Sequence, residues 1–277
     1  MSEPILTLDH VGYTYRDQAP ALEDASLTLG AGERVALLGA NGAGKSTLFL
    51  LCNGVLHPTG GQVLLDGAPV GHRDKDLMRL RQAVGLVFQN PEDQLLGATV
   101  RAEISFGPMN LDWPRDKVAA AVEQAAGAMN LEPLLGRPPQ YLSGGEKKRV
   151  TIADILAMDA RLILFDEPTA SLDPAHTALL EETLSALHDR GLGLVVSTHA
   201  VSFAWRWADR AVVLSGGRIL RDGPVEEIFA DQALLDQAGL HQPELFAAGR
   251  LLFPQLPPAR YPRPRGERES MLQENPR

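Results

Sequence analysis

The chain has 277 residues, 44% of them hydrophobic and 22% charged, the composition of a globular protein with room for one or two domains. Lysine and arginine total 26 against 35 acids, a formal charge of −9, and aromatics make up 5%; both argue against a nucleic-acid partner held by global charge or by aromatic stacking. A single cysteine, Cys52, excludes an intrachain disulfide framework and a cysteine-cluster zinc site, and no apolar run approaches the ~20 residues of a spanning helix.

Met1-Ser2-Glu3-Pro4 has neither a basic nor an apolar leader, so no secretory signal is expected and work at a membrane would go through a partner. Short apolar runs then alternate with helical patterns, which predicts an α/β fold. Strands are expected at Ile5–Leu8, Ala25–Leu29, Arg34–Leu38, Gln62–Leu65, Val84–Phe88, Leu162–Phe165, Gly193–Ser197 and Ala211–Leu214. Several are continuous Val/Ile/Leu runs, as in strands buried on both faces of a sheet. The strand signal disappears between residues 95 and 158. There Val118, Val122, Ala125, Ala126 and Met129 follow helical spacing behind Pro114, which predicts an inserted helical subdomain. Residues 241–277 hold six arginines, four glutamates and seven of the 20 prolines. They read as a short extension to a domain over residues 1–240. From about residue 254 the run PQLPPARYPRPR forbids helix and central strand, so this part is expected to be extended or disordered and dispensable for catalysis.

The strongest local signal is Gly39-Ala40-Asn41-Gly42-Ala43-Gly44-Lys45-Ser46-Thr47, set between the strand Arg34–Leu38 and a helical stretch Leu48–Val55. It is the phosphate-loop pattern in its confirming context. The glycines let successive N–H groups point inward at an anion, the helix N-terminus adds its positive end, and Lys45 supplies a mobile charge for β- and γ-phosphates. Ser46 offers a hydroxyl to Mg²⁺ and Thr47 a bond to an inner phosphate. The second element, Leu162-Ile163-Leu164-Phe165-Asp166-Glu167, ends an apolar strand in two acids, a costly place for charge without a purpose. Asp166 is expected to serve Mg²⁺ beside Ser46, and Glu167 to orient or deprotonate an attacking water.

Leu142-Ser143-Gly144-Gly145-Glu146 opens a helix to about Ala157. Ser143 and Glu146 have capping-box spacing. Gly144 and Gly145 also put free N–H groups at a helix N-terminus, a second phosphate site. Two anion sites for one nucleotide suggest a composite site between two chains.

With LSGGE the chain resembles the ATP-binding-cassette (ABC) ATPases, and the remaining motifs of that family follow in order across residues 5–235. Tyr15 resembles the aromatic that stacks on adenine. Gln89 resembles the switch-loop glutamine that links γ-phosphate and Mg²⁺ to the membrane partner. Ser171-Leu172-Asp173 resembles the D-loop and His199 the switch histidine. Gln89 to Gln94, Thr99-Val100, Phe106-Gly107-Pro108, Glu146 to Val150 and Ala204 to Arg210 more narrowly resemble the ATPases of energy-coupling-factor importers, especially the cobalt and nickel branch.

The resemblance implies an α/β P-loop fold with an N-terminal antiparallel β portion and a helical subdomain. It further implies ATP and Mg²⁺, and a pair of ATPases, two copies or one with a relative, that sandwich two ATP molecules. Lys45, Ser46, Gln89, Asp166, Glu167 and His199 would come from one chain, Ser143 and Gly145 from the other. Integral membrane subunits, an energy-coupling transmembrane component and a substrate-binding component, would be partners, with the chain at the cytoplasmic face of the membrane. An exporter ATPase and a vitamin importer with two different ATPases stay open as alternatives. Soluble repair or translation ATPases do not fit a chain without heptads and with one phosphate loop, and a small-molecule kinase leaves LSGGE unexplained. Three residues depart from the usual pattern. Glu146 stands where glutamine is frequent, and Ala200 where an acid is common after the histidine. Asp154 sits in an apolar helix face, where burial would require a donor. Glu92 and Asp93 are expected to pair with arginines of the membrane partner. His10, His57, His72, His176, His188 and His241 show no ligand clustering and receive no metal role.

Overall fold

The computed structural model describes residues 3–16, 19–170 and 174–264. A four-stranded antiparallel sheet has the order β2-β1-β4-β5, from β1 (Pro4–Thr14), β2 (Pro20–Gly30), β4 (Gly60–Leu65) and β5 (Ala68–Pro69). A six-stranded sheet has the order β10-β9-β3-β8-β7-β6, from β3 (Arg34–Leu38), β6 (Val84–Val87), β7 (Leu162–Asp166), β8 (Gly193–Thr198), β9 (Arg210–Ser215) and β10 (Arg218–Pro224). Five of its strands run parallel, and β10 closes the edge antiparallel to β9.

Two apolar cores share this second sheet, and alternate side chains serve each. Val35, Leu37, Leu162, Leu164, Val195, Val212 and Leu214 pack toward the antiparallel sheet with helix α1 (Lys45–Cys52) and helix α2 (Asp74–Ala83). Ala36, Leu38, Ile163, Phe165, Leu194, Val196, Ala211 and Val213 face the remaining helices. Side chains alternate across a strand, so the middle of a strand between two cores must be apolar on both faces. The edge strand β10 is mostly exposed and polar, so no apolar run marks it. Cys52 closes α1 fully buried in the first core, where burial pushes its thiol up to about 12.

Between Leu95 and Met158 the described chain is helical, with α3 (Val100–Asn110), α4 (Arg115–Ala128) and α5 (Gly144–Ala157) joined by short 3-10 turns. Thr99 caps α3, its hydroxyl accepting from Ala102 N at 3.1 Å. Val122, Ala125, Ala126 and Met129 are buried and Val118 half-buried, while Pro114 lies one residue ahead of α4. Helix α6 (Pro174–His188) returns to β8, and α7 (Val201–Trp207) joins β8 to β9. After β10 come α8 (Val225–Ala230), α9 (Gln232–Gln237) and α10 (Glu244–Leu252).

The proline-rich segment corrects one expectation. It is neither helix nor strand beyond a single 3-10 turn at Pro258–Arg260, as proline dictates, yet residues up to 264 are docked rather than disordered. Tyr261 is buried against Phe246, their ring centroids 5.3 Å apart. Gly249 makes this approach possible, because a Cβ there would meet the Tyr261 side chain at 2.8 Å. Residues 265–277 lie outside the described residues.

Candidate nucleotide site

The loop after β3 depends on its glycines. Gly42 and Gly44 have φ of 81° and 107°, the left-handed region that other residues rarely enter. A Cβ on Gly39 would lie 2.4 Å from the Leu214 carbonyl oxygen, and one on Gly44 2.7 Å from that of Ala21. Lys45 is buried at the start of α1, and its Nζ donates to the carbonyl oxygens of Gly39 at 2.8 Å and Ala40 at 3.2 Å. Asn41, Gly42 and Ser46 are exposed, while Thr47 is buried with its Oγ1 3.3 Å from the hydroxyl of Tyr15. Tyr15 is half-buried beside Tyr13, edge to face.

The register of β7 on β8 sets Asp166 opposite Ser197. Ser197 joins both acids: its hydroxyl donates to Asp166 Oδ1 at 2.6 Å and accepts from Glu167 N at 2.9 Å. Sequence reasoning missed this serine, since it ends an apolar run without a motif of its own. Glu167 is 9% exposed and has φ of 42°, a left-handed conformation that costs a non-glycine residue about 1–2 kcal/mol. Its carboxylate reaches Lys45 Nζ (Oε1, 3.1 Å) and His199 Nδ1 (Oε2, 3.1 Å). Oε1 has the ion pair but no hydrogen bond, although it is shielded from solvent. A strained, buried and incompletely satisfied acid at a strand end is a mark of function. Ala200 after His199 causes no local deficit, because its N–H donates to Thr198 Oγ1 at 3.0 Å.

A second group forms around the start of α5. Ser143 and Glu146 complete a capping box, Ser143 N donating to Glu146 Oε2 at 2.7 Å and Glu146 N to Ser143 Oγ at 3.3 Å. These bonds hold the Glu146 carboxyl below its usual range. A Cβ added at Gly144 or Gly145 would meet nothing within 4 Å, so the chain's own packing gives no reason for glycine there. A cleft of about 470 Å³ runs beside them, lined also by Gln89, Glu92, Lys148 and His176 and not by Lys45, Asp166 or Glu167. Gln89 is exposed just past β6. Lys148 reaches from α5 to the Phe88 carbonyl oxygen at 3.2 Å, and burial pushes its ammonium down to about 8 against the pull of Asp166. Asp173, with Ser171 and Leu172, lies outside the described residues.

Two side chains singled out in the sequence, Glu92 and Asp154, have these surroundings. Glu92 is paired within the chain, to Lys147 at 2.5 Å, which holds its carboxyl below the usual range. Asp154 has no donor for its shielded Oδ1, and burial, then the charge of Glu103, pushes its carboxyl well up. Glu103, buried on α3, accepts the N–H groups of Leu96 (2.8 Å) and Gly97, tying down the end of the loop that begins at Gln89. His57 and His72 do meet, Nδ1 to Nδ1 at 3.3 Å, but no group of three or more metal-ligating side chains occurs among the described residues.

A phosphate loop after one strand of a parallel sheet, with paired acids at the end of another strand of the same sheet two places away, defines a P-loop nucleotide-binding protein. The family profile "ABC transporter" matches residues 22–170. The chain is 44% identical over 243 residues to an energy-coupling factor transporter ATP-binding protein of Methanospirillum hungatei, covering 88% of this chain and 61% of that longer protein. It is 43% identical to such a protein of Methanocaldococcus jannaschii, covering 84% of each chain. It is 45% identical to the cobalt import ATP-binding protein CbiO of Rhodobacter capsulatus, covering 87% of this chain and 86% of that one. The solved structure of CbiO1 from Clostridium perfringens, described as part of the ABC transporter complex CbiONQ, superposes with a TM-score of 0.76 at 34% identity, covering 92% of this chain and 97% of that one. The chain belongs to the ABC transporter family of ATP-binding proteins. Among its described residues no helix is long and apolar enough to cross a membrane.

Proposed function

We propose that the chain is the ATP-hydrolysing energy-coupling subunit of an uptake transporter for cobalt or nickel ions, peripheral on the cytoplasmic face of the membrane. One observation carries the catalytic part: Glu167 is held strained and buried between Lys45 and His199, its carboxylate aimed into the phosphate-loop site. The relatives named for energy coupling and cobalt import support the transport part.

In this reading the loop amides and Lys45 take the phosphates, Lys45 exchanging its contacts to Gly39 and Ala40 for phosphate oxygens. Glu167 accepts the proton of the attacking water on a carboxylate oxygen, and His199 holds that carboxylate through Nδ1. Asp166, Ser46 and Gln89 offer hard oxygen donors, a set suited to Mg²⁺. One Asp166 oxygen already takes the Ser197 hydroxyl, which fixes the carboxylate for such a role. Bound Mg²⁺ supplies neutralisation of charge on the transferring phosphoryl oxygens. Tyr15 stacks on the base. The empty space over Gly144 and Gly145 supports a facing chain whose ATP phosphates receive Ser143 and the glycine amides, giving an ATP-closed pair. Closure moves Gln89 and the loop fastened by Glu103, and the integral membrane subunits sense that movement.

Reconstitution with the membrane subunits into liposomes tests this. ATP-dependent uptake of labelled cobalt or nickel is expected, and it should be lost with Lys45→Ala. Uptake of a vitamin instead would refute the substrate and keep the ATPase. ATP-independent uptake would refute the energy-coupling role.

A further inference from the structure

The segment after α10 reaches the helix that follows His199, and the contact is built from specific chemistry. Helix α7 is only seven residues long, so its far end lies about 10 Å from the histidine at 1.5 Å per residue. A helix leaves its last carbonyl groups without partners. Arg263 supplies them: Nε donates to the Trp205 carbonyl oxygen at 2.9 Å, and Nη2 donates to that of Ala208. The guanidinium also lies over the Trp205 ring, 4.8 Å from its centroid, with Nη1 3.9 Å from Glu226 on α8. Trp205 is fully buried, and its indole N–H donates to the Pro262 carbonyl oxygen at 3.0 Å. Tyr261, Phe246 and Trp205 continue as a chain of edge-to-face rings. On the other side Arg206 pairs with Glu181 of α6 at 2.6 Å.

We infer that Arg263 is a positioning residue for hydrolysis: by capping α7 it sets the placement of His199 against Glu167. The planar fork satisfies two carbonyls while stacking on an indole, a combination that lysine does not reproduce. At the other end of α7, Ala200 and Thr198 lock the turn that presents His199, so a shift of this short helix passes to the imidazole. The 3.1 Å contact between His199 and Glu167 leaves little room for such a shift. This inference rests on the role given to His199 above.

The test uses the full chain in its assembled complex, with Arg263→Ala, Arg263→Lys and His199→Ala alone and combined. Arg263→Ala is expected to lower kcat about 5- to 10-fold with ATP affinity unchanged within about twofold, and Arg263→Lys should recover part of the loss. In the His199→Ala background Arg263→Ala should change kcat less than twofold, since the group it places is gone. A lowered melting temperature with unchanged kcat would make the contact merely structural and overturn the inference. Equal losses in both backgrounds would overturn it as well. Wild-type hydrolysis by His199→Ala would instead overturn the reading of the site itself. If Arg263→Ala does not fold, the lysine variant alone decides: a kcat loss confined to the His199 background supports the inference, and none refutes it.

Discussion

Replacing Glu167 by glutamine separates the chemical step from the binding step. The backbone at this position is held without the side chain, by bonds from Glu167 N to the carbonyl oxygen and hydroxyl of Ser197 at 3.2 and 2.9 Å. The ion pair to Lys45 is lost, but Lys45 keeps the carbonyls of Gly39 and Ala40. The lost charge therefore costs about 1–2 kcal/mol, at the low end for a hydrogen bond to an ion, or a melting temperature lower by roughly 2–8 °C at this chain length. ATP should bind with near wild-type affinity, since loop amides and Lys45 are intact. The amide cannot take a proton from water, so hydrolysis should fall at least ~100-fold, about 2.7 kcal/mol in barrier. Phosphate release at saturating Mg-ATP in the assembled complex, beside equilibrium nucleotide binding, measures both. Undischarged ATP should also hold two chains together, seen as a larger species in sizing chromatography. Hydrolysis near the wild-type rate would refute the assignment of the base. A more than tenfold loss of ATP affinity would place Glu167 in binding instead.

Three further outcomes follow from the geometry. Gly39→Ala should abolish ATP binding, because the new Cβ meets a strand carbonyl oxygen at 2.4 Å, and a folded variant with normal affinity would contradict this. Ser143→Arg should leave ATP binding by the single chain intact but abolish the larger species of Glu167→Gln, so persistence of that species would count against the composite site. Asp154 is held above its ordinary range, so the folded chain keeps a proton that the unfolded chain releases; stability from this source is full below about pH 4 and falls as pH rises toward the folded value. Asp154→Asn should thus match the wild type in thermal melts near pH 4 and exceed it near pH 8, and parallel curves would refute the argument.

The parallel strands were legible because burial between two cores confines polar residues to strand ends: β3 is apolar from Val35 to Leu38 and coincides with its expected range. The phosphate loop was legible because Gly39, Gly42 and Gly44 answer to backbone geometry that other residues cannot satisfy. Long-range polar partners were not. Ser197, Glu103 and the Glu92–Lys147 pair act through register or across tertiary distance, and no periodicity or local spacing announces them. The docking of Tyr261 and Arg263 was hidden for a further reason. Proline correctly forbids regular structure, but irregular backbone can still be anchored by side chains, and this one is anchored by a tyrosine and an arginine fork.

Cys52 has a practical consequence. Burial pushes its thiol up to about 12, which leaves little reactive thiolate at neutral pH, and the sulfur is buried in the core between the two sheets besides. Alkylating reagents can reach it only when that core separates, so its labelling rate becomes a clock for the opening free energy of the inter-sheet core. The intact protein offers no competing thiol, so a cysteine introduced beside Ser143 can carry a fluorophore or crosslinker and report the approach of a second chain against a silent background.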